Sequence, residues 1–335
     1  MCIRDSGVGA PLWWSVVDGT VRVPAGARPV VVGSPQWVEA LRTSRVIVTN
    51  DHLPSWFSKR EGQHLLQTWH GTPIKKLLHD APRAVTLRYR RLMDRQVPQW
   101  DLLLAQSPQA GRRLQQALGY RGPVRVGEYP RNVRLLGGAE VRRRVRHELG
   151  IAPGQPVILY APTWRESLRP STGAAGCAAA HGPGPVVALD GPRLAELLDA
   201  VVLMRSHHMN RAGCVPGMID VSGYPSVEEL MLAADILVSD YSSIFFDFAL
   251  TGKPAVVYAP DLASYRDVER GLYGDWPLGS GLPVAADHDE LASHLQRLLG
   301  DIDVAEGCHS PLEVEPVPIL DNLTWIRGWI ARFLS

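Results

Sequence analysis

Residues 67–76, which read QTWHGTPIKK, place a histidine between an aromatic residue and a glycine. We expect His70 to lie exposed where a strand ends and a turn begins. An imidazole can accept the proton of an attacking hydroxyl near neutral pH, and Gly71 leaves space for a substrate to approach. His70 is therefore a candidate general base, with a purely structural histidine as the alternative.

A second polar segment, residues 239–249, follows an apolar run and reads SDYSSIFFDFA. The pattern places Ser242 and Ser243 at the start of a helix, where unpaired backbone N–H groups and the helix dipole favour an anion such as phosphate. Their hydroxyls would add donors, and simple helix capping is the alternative. The carboxylates of Asp240 and Asp247 can cap a helix, form an ion pair or contact a sugar.

Cationic side chains are predicted at the same sheet edge. Residues 205–208, RSHH, end a predicted strand and deliver a guanidinium and two imidazoles, a set that can clamp an anion. Exposure without a ligand is the alternative for His208. Two further arginines, Arg165 and Arg266, each follow a strand and a turn, and an ion pair with the aspartate at 261 or 267 is their structural alternative.

Short β-branched runs alternate with helical patterns along the chain, which predicts βαβ units and parallel sheets. In the first half the predicted strands are 28–33, 45–49, 101–105 and 124–127, and the predicted helices are 34–42, 107–118 and 140–149. In the second half the predicted strands are 157–160, 201–205, 236–239 and 255–258, and the helices are 226–234 and 244–250. We therefore predict an α/β protein of GT-B-like architecture, with two doubly wound, Rossmann-like domains facing across a cleft.

A turn-rich break at residues 150–156 predicts the boundary between these domains. We expect an N-terminal α/β domain over residues 7–150, a C-terminal α/β domain over 151–320, and a final helix over 321–335 that packs across the interdomain face. Residues 1–6 read MCIRDS, which is a transposase sequencing adapter translated in frame. We expect these six residues not to be native, and native sequence to be missing upstream.

The net charge of +1 hides an asymmetry between the two halves of the chain. Residues 1–150 hold 24 Lys/Arg against 11 Asp/Glu, whereas residues 151–335 hold 11 against 23. The basic half suits an anionic partner, with solvated arginines on helices as an equal alternative. No recognisable motif or set of stacking aromatic residues accompanies the arginines, so we predict no nucleic-acid partner.

The four cysteines, at positions 2, 177, 214 and 308, have neither metal-ligand nor disulfide spacing. We therefore predict no metal site and a reducing compartment. No stretch approaches the roughly 18 apolar residues that a membrane-spanning helix needs, and no secretory leader opens the sequence. These features predict a cytoplasmic protein.

Several motifs occur in the order found in the CDP-glycerol glycerophosphotransferase family, and residues 45 to 273 resemble that family. The motifs are QTWHGTPIKKL, YAPTWR, RSHH, SDYSSIFFDFALTGKP and PDLASYRDVERGLYGD. Residues 127–132, GEYPRN, resemble the family's G-x-P-R-N element with one extra residue. Agreement of several long motifs in order makes the resemblance specific.

The resemblance implies an enzyme of teichoic acid or capsule biosynthesis that needs no cofactor. It would transfer glycerol phosphate from CDP-glycerol to the terminal hydroxyl of a lipid-linked poly(glycerol phosphate), releasing CMP. The N-terminal domain would face the polyanionic acceptor, and the C-terminal domain would bind the CDP donor. Such enzymes act peripherally at the inner face of the bacterial membrane, and the candidates for that surface are Arg83, Arg88, Arg90, Arg91 and Arg95.

The matched motifs also imply residue roles. His70 would be the general base, and His207 would contact the donor phosphates with Arg205 nearby. Ser242, Ser243 and Asp240 would hold the donor pyrophosphate. The remaining site candidates from these motifs are Trp69, Gly71, Thr72, Lys75, Arg131, Thr163, Arg165 and Arg266. The sequence departs from the family at His208, where proline usually follows the R-x-H histidine, and this changes the expected local turn.

Three other functions stay open. A transferase for another CDP-alditol, such as ribitol phosphate, would share these motifs. A GT-B nucleotide-sugar glycosyltransferase would release UDP or GDP instead of CMP, and the WHGTP motif argues against it. A non-catalytic polymer-binding subunit is the third, and the intact His70 and serine pair argue against such decay.

Overall fold

The computed structural model describes residues 10–81, 85–163, 189–206, 217–301, 312 and 318–334. The chain forms two compact units, and the sheets of both units are parallel. The first unit takes residues 1–72, 77–134 and 315–335, and the second takes residues 73–76 and 135–314.

The first unit contains a two-stranded and a four-stranded parallel sheet. The two-stranded sheet consists of β1 (Leu12–Val16) and β2 (Ala27–Val31). The four-stranded sheet has the order β3-β4-β5-β6, formed by Val46–Thr49, His64–Gln67, Leu102–Ala105 and Val124–Val126. The helices are α1 (Pro35–Thr43), α2 (Leu87–Gln96) and α3 (Pro108–Leu118), with 3-10 turns at Leu78–Asp80, Val97–Gln99 and Pro130–Gly137.

Two of these helices begin at the capping serines that the sequence supplies. The Ser34 hydroxyl accepts the N–H of Trp37 at 3.2 Å, and the Ser107 hydroxyl accepts the N–H of Ala110 at 3.1 Å. A proline follows each serine, where its missing N–H costs no helical hydrogen bond. The predicted starts of α1 and α3 are confirmed.

The second unit is built on a six-stranded parallel sheet with the order β12-β11-β10-β7-β8-β9. In chain order its strands are Val157–Tyr160, Val201–Met204, Ile219–Asp220, Ile236–Ser239, Ala255–Tyr258 and Val284–Ala285. Its helices are α4 (Gly138–Glu148), α5 (Gly191–Leu198), α6 (Val227–Ala233), α7 (Ile244–Ala249), α8 (Leu262–Ser264) and α9 (His288–Asp301). A π-helical turn at Tyr265–Glu269 and a 3-10 turn at Leu278–Ser280 complete it.

Burial explains why the central strands of this sheet read as unbroken apolar runs. Every residue of β7, β10 and β11 is buried. A parallel sheet covered on both faces requires such strands, because neither face meets water. The prediction of a GT-B-like α/β fold with parallel sheets is confirmed.

The boundary between the units lies earlier than the predicted position at residue 150. The second unit resumes at residue 135, so α4 belongs to it. Val145 of α4 is fully buried in a core that also contains Leu230 and Met231 of α6. The turn-rich break at 150–156 therefore separates a helix and a strand of one unit, because α4 packs forward onto α6.

The final helix, α10 (Ile319–Ala331), returns to the first unit. Its residues Ile326, Trp329 and Ile330 are buried in the same core as the strands of the first sheet. A helix lies at the predicted C-terminal position and packs in the core of the first unit, whereas its packing across the interdomain face stays a prediction. Among the helices of the described ranges, none has the length and apolar character needed to cross a membrane.

Cations collect at the carboxyl end of α6, where backbone carbonyls lack helical partners. The Lys253 ammonium donates to the carbonyls of Leu232 at 2.7 Å and Ala234 at 2.6 Å. Arg142 donates to the same two carbonyls at 3.4 and 3.1 Å. Burial lowers the pKa of Lys253 to about 7; the nearby Arg142 lowers it further, and Asp235 opposes the shift.

This lowered pKa predicts a specific pH dependence of stability. Between pH 7 and about 10 the unfolded chain binds a proton at Lys253 that the folded chain does not, so the free energy of unfolding should rise with pH. The slope from this group is at most about 1.4 kcal/mol per pH unit. Urea unfolding of wild type and Lys253→Met at pH 7, 8 and 9 should show a flatter profile for the variant. Parallel profiles would contradict the assignment.

Candidate functional site

His70 lies exposed in a tight turn directly after β4, as the sequence predicts. The preceding residue, Trp69, is buried and has a φ of 57°, a left-handed conformation that costs a side-chain-bearing residue about 1–2 kcal/mol. Gly71 follows with a φ of 152°. The imidazole stacks on the Trp69 indole with ring centroids 4.5 Å apart. The turn therefore holds the imidazole at the edge of the sheet.

One hydrogen bond sets the tautomer of this histidine. Nδ1 of His70 lies 2.8 Å from the carbonyl oxygen of Asn50, in the loop that follows β3. A carbonyl oxygen only accepts hydrogen bonds, so Nδ1 must carry the proton in the neutral ring. The basic lone pair is then on Nε2, which is the arrangement a general base requires.

Gln67 is a positioning residue that sequence reasoning missed. Its side chain is fully buried at the end of β4. Its Oε1 accepts the N–H of Trp69 at 2.9 Å, and its Nε2 donates to the carbonyl of Asp51 at 3.2 Å. Gln67 thus ties the His70 turn to the loop that orients His70. The available signal was a polar residue ending an otherwise apolar strand.

Thr72 and the GEYPRN element meet in a buried polar network within the first unit. The Thr72 hydroxyl donates to Oε1 of Gln106 at 2.7 Å, and Nε2 of Gln106 donates to Oε2 of Glu128 at 3.2 Å. The Asn132 amide donates to the same carboxylate oxygen at 3.0 Å. The predicted site residue Thr72 is therefore a buried anchor of the histidine turn. Sequence reasoning did not identify Gln106, Glu128 or Asn132.

Arg131 also lies in the GEYPRN element. Its guanidinium carbon is 4.7 Å from the centroid of the Tyr129 ring, a cation–π contact. Arg131 is half-buried and Tyr129 is buried. This places a cation close to the carboxyl end of β6, beside the buried network.

In the second unit, Asp240 and Thr163 meet where β10 and β7 end. Oδ1 of Asp240 accepts the N–H of Tyr241 at 2.6 Å and that of Thr163 at 2.9 Å. The Asp240 side chain is only 2% exposed. A buried anion that accepts backbone N–H groups is suited to shaping these two loops, and it is poorly suited to the predicted contact with a donor phosphate.

Ser242 and Ser243 lie just beyond Asp240, at the start of α7, and both are half-buried. The Ser242 hydroxyl accepts the N–H of Ile244 at 3.3 Å, whereas the Ser243 side chain makes no capping hydrogen bond. The preceding Tyr241 is buried and stacks on Tyr265 with centroids 4.0 Å apart. The serine pair therefore follows a rigidly packed residue.

Arg205 follows β8 and is half-buried, and its guanidinium is committed in part to backbone. Nη1 donates to the carbonyls of Val221 at 3.2 Å and Tyr224 at 2.8 Å. Burial lowers the pKa of Arg205, and the Glu228 carboxylate opposes that shift. An arginine stays protonated at neutral pH, so Arg205 brings a fixed positive charge to this sheet edge.

The remaining predicted residues are placed differently. Arg266 is exposed and forms a two-point ion pair with Asp267, at 2.7 and 2.9 Å, which matches the structural alternative for this arginine. Lys75 forms an isolated antiparallel bridge with Leu272 inside the second unit. His207, His208, Arg165 and Arg83 lie outside the described residues.

The described ranges contain no set of side chains that could bind a metal ion. Among those residues, no group of three or more His, Cys, Asp and Glu side chains is placed to hold an ion. Among the predicted site residues, the first unit holds an oriented imidazole, and the second unit holds a serine pair after β10 and a cation after β8.

Residues 4–306 match the family described as CDP-Glycerol:Poly(glycerophosphate) glycerophosphotransferase. The chain belongs to this family. The chain is 31% identical over 253 residues to a teichoic acid poly(glycerol phosphate) polymerase of Bacillus spizizenii, covering 72% of this chain and 63% of that one. It is 30% identical to a teichoic acid glycerol-phosphate transferase of Staphylococcus aureus, over 79% of this chain and 70% of that protein.

A solved structure extends the likeness to the fold. A variant of the wall teichoic acid polymerase TagF superposes with a TM-score of 0.80 at 26% identity, over 99% of this chain and 83% of that chain. The chain spans less than two thirds of the length of the Bacillus spizizenii polymerase that it matches.

A packing constraint at the GEYPRN element gives a prediction. A Cβ atom at Gly127, where φ is 157°, would lie 2.6 Å from Cγ of Asn322 in α10. Asn322 is fully buried and donates to the carbonyl of Glu128 at 2.8 Å. We expect Gly127→Ala to destabilise the protein by about 2–4 kcal/mol in urea unfolding, through overpacking and backbone strain.

The matched control is Gly119→Ala. Gly119 has a φ of 67°, and no neighbouring heavy atom lies within 4 Å of the position that a Cβ atom would take there. This variant should therefore lose only about 1–2 kcal/mol, from backbone strain. Equal losses for the two variants would show that the approach of Asn322 to Gly127 is not the constraint.

Proposed function

We propose that this protein transfers glycerol phosphate from CDP-glycerol to the terminal hydroxyl of a poly(glycerol phosphate) acceptor and releases CMP. The observation that carries the proposal is the orientation of His70, whose Nδ1 is held by the Asn50 carbonyl so that Nε2 can accept a proton. Family membership and the names of the relatives, which are glycerol-phosphate polymerases and transferases, support the choice of substrate.

The proposed chemistry is one displacement at phosphorus. Nε2 of His70 takes the proton of the acceptor hydroxyl as its oxygen attacks the glycerol-bearing phosphorus of the donor. The bond from that phosphorus to the oxygen shared with CMP breaks, and CMP leaves with the electron pair. The Asn50 carbonyl stabilises the imidazolium that forms, because it accepts the hydrogen bond from Nδ1 in both states.

On the donor side, we assign phosphate contacts to Arg205, His207, Ser242 and Ser243. Little covalent work falls to the protein in phosphoryl transfer, so fixed positive charge and oriented donors do most of the stabilising. Arg205 supplies such a charge from a half-buried position, and the Ser243 hydroxyl is not engaged in capping α7. Asp240 and Thr163 act by holding the loops that carry these groups.

Replacing His70 tests this function. His70→Ala should lower the rate of acceptor-dependent CMP release from CDP-glycerol by about 10²–10⁴-fold, the usual contribution of general acid–base catalysis. The control is His147→Ala, since His147 is exposed on α4 and should be dispensable. CMP release would be followed with a lipid-linked glycerol phosphate acceptor at saturating donor.

Other outcomes would select another function. Release of CMP with CDP-ribitol but not with CDP-glycerol would assign a ribitol-phosphate transferase. Release of UDP or GDP from a sugar nucleotide would assign a glycosyltransferase. Polymer binding without turnover of any of these donors would assign a non-catalytic subunit.

We further propose that the protein works peripherally at the inner face of the cell membrane, where a lipid-linked acceptor is available. The sequence of the first unit carries 20 Lys/Arg against 11 Asp/Glu, a balance that favours an anionic surface. The protein should co-sediment with phosphatidylglycerol vesicles but not with phosphatidylcholine vesicles, and binding should weaken as salt rises. Equal binding to both vesicle types would contradict an electrostatic attachment.

A further inference from the structure

A cavity of about 480 Å³ lies on the first unit, between α2 and the loop after β3. Three arginines from α2, Arg88, Arg91 and Arg95, line it. His52 and Ser55 line the side formed by the loop. The proposed function leaves this cavity unassigned.

The three arginines share one face of α2, because they are spaced at i, i+3 and i+7. Their Cα atoms span about 10 Å along the helix axis, at a rise of 1.5 Å per residue. All three side chains are exposed, and in the described part of the chain no carboxylate forms an ion pair with any of them. Like charges at these spacings repel, so an anion bound among them would relieve an unfavourable arrangement.

Buried hydrogen bonds and a ring contact hold the two walls of the cavity in place. Gln96, the last residue of α2, is 3% exposed, and its Oε1 accepts the N–H of Leu53 at 2.8 Å. Its Nε2 donates to the carbonyls of Leu53 at 2.8 Å and Pro54 at 3.0 Å. The His52 ring packs edge-on against Tyr89, with centroids 5.6 Å apart. The arginine-bearing helix and the loop therefore hold one geometry.

The same loop also orients the proposed base. The carbonyl that fixes the His70 tautomer belongs to Asn50, and His52 in the cavity wall is only two residues further on. Two residues of extended chain span about 7 Å at most. The arginine cavity thus lies close to the place where the acceptor hydroxyl must be deprotonated.

We infer that this cavity binds the phosphodiester groups of the acceptor chain, next to the hydroxyl that reacts. The inference rests on the proposed function for the identity of the acceptor. A glycerol phosphate polymer carries one negative charge per repeat along a flexible chain, and a row of guanidinium groups can bind such phosphates in charge-assisted hydrogen bonds. The concave shape suits a chain that enters between two walls. This site would select polymeric over monomeric acceptors.

Kinetics with soluble acceptors of increasing length provide the test. For wild type, the KM of the acceptor at saturating CDP-glycerol should fall as phosphates are added to a glycerol phosphate oligomer. In the triple variant Arg88→Gln/Arg91→Gln/Arg95→Gln, the KM of the longer oligomers should rise at least about tenfold. The KM of CDP-glycerol, and turnover with the shortest acceptor, should stay unchanged.

The matched control removes equal charge elsewhere in the first unit. Arg42, Arg112 and Arg121 are exposed there and lie outside the cavity. The variant Arg42→Gln/Arg112→Gln/Arg121→Gln should keep the wild-type dependence of KM on acceptor length. Loss of that dependence in both triple variants would overturn the inference, because net charge alone would then explain it.

Measuring the binding of the acceptor oligomer directly tests the cavity independently of the proposed transfer reaction. Titration calorimetry with a glycerol phosphate oligomer, without donor, should show binding to wild type that weakens at least about tenfold in the cavity variant. That result supports the site even if CDP-glycerol proves not to be the donor. CMP release from CDP-glycerol with unaltered oligomer binding and KM in the cavity variant would overturn the site and leave the proposed function standing.

A lipid surface is the remaining anionic ligand, and vesicles distinguish it. If the cavity variant loses binding to phosphatidylglycerol vesicles but keeps wild-type affinity for the soluble oligomer, the arginines serve the membrane and the inference is wrong. If oligomer affinity falls while vesicle binding stays within about twofold of the control variant, the acceptor site is supported.

Discussion

The first unit depends on how the loop at residues 50–54 satisfies its main-chain groups. These groups lie beyond the end of β3, so sheet hydrogen bonds cannot serve them, and buried main-chain groups left unpaired are costly. Side chains from two other segments supply the partners: Gln67 and His70 at the end of β4, and Gln96 at the end of α2. A single loop therefore fixes both the imidazole and the wall of the arginine cavity.

The second unit satisfies main-chain groups of its loops with a carboxylate instead of amide and imidazole side chains. There a buried carboxylate, Asp240, accepts the N–H groups of Thr163 and Tyr241, so the loops after β7 and β10 are joined through one side chain. The Trp276 indole donates to the Asp240 carbonyl at 3.1 Å and adds a further tie. In both units, buried polar residues at strand ends hold the loops in place. The more exposed residues beside them can contact a substrate.

Much of this architecture could be predicted from sequence because its signals are local. The apolar runs of β5, β7 and β10, and the capping serines of α1 and α3, specify their elements within a few residues. The histidine turn was predictable for the same reason, as a glycine and an aromatic residue follow and precede His70 directly.

The remaining contacts could not be predicted, because the residues that form them are far apart in the sequence. Gln96 binds a loop 42 and 43 residues away, and nothing beside it in the chain indicates that contact. Asp240 has the residue type of a ligand contact, yet it is buried and accepts the N–H of Thr163, 77 residues earlier. The boundary at residue 150 failed similarly, since Arg142 and Arg146 of α4 pair with Asp235, about 90 residues later.

The packing of α10 has a consequence for how the protein is made. Ile326 and Trp329 of α10 lie in the core of the first unit, whose described strands precede those of the second unit, and the second unit ends at residue 314. During synthesis the second unit can therefore complete its core before the first unit has received α10. Domains usually finish folding in the order in which they leave the ribosome. Here the first unit completes its core only after α10 has been synthesised, later than the residues of the second unit.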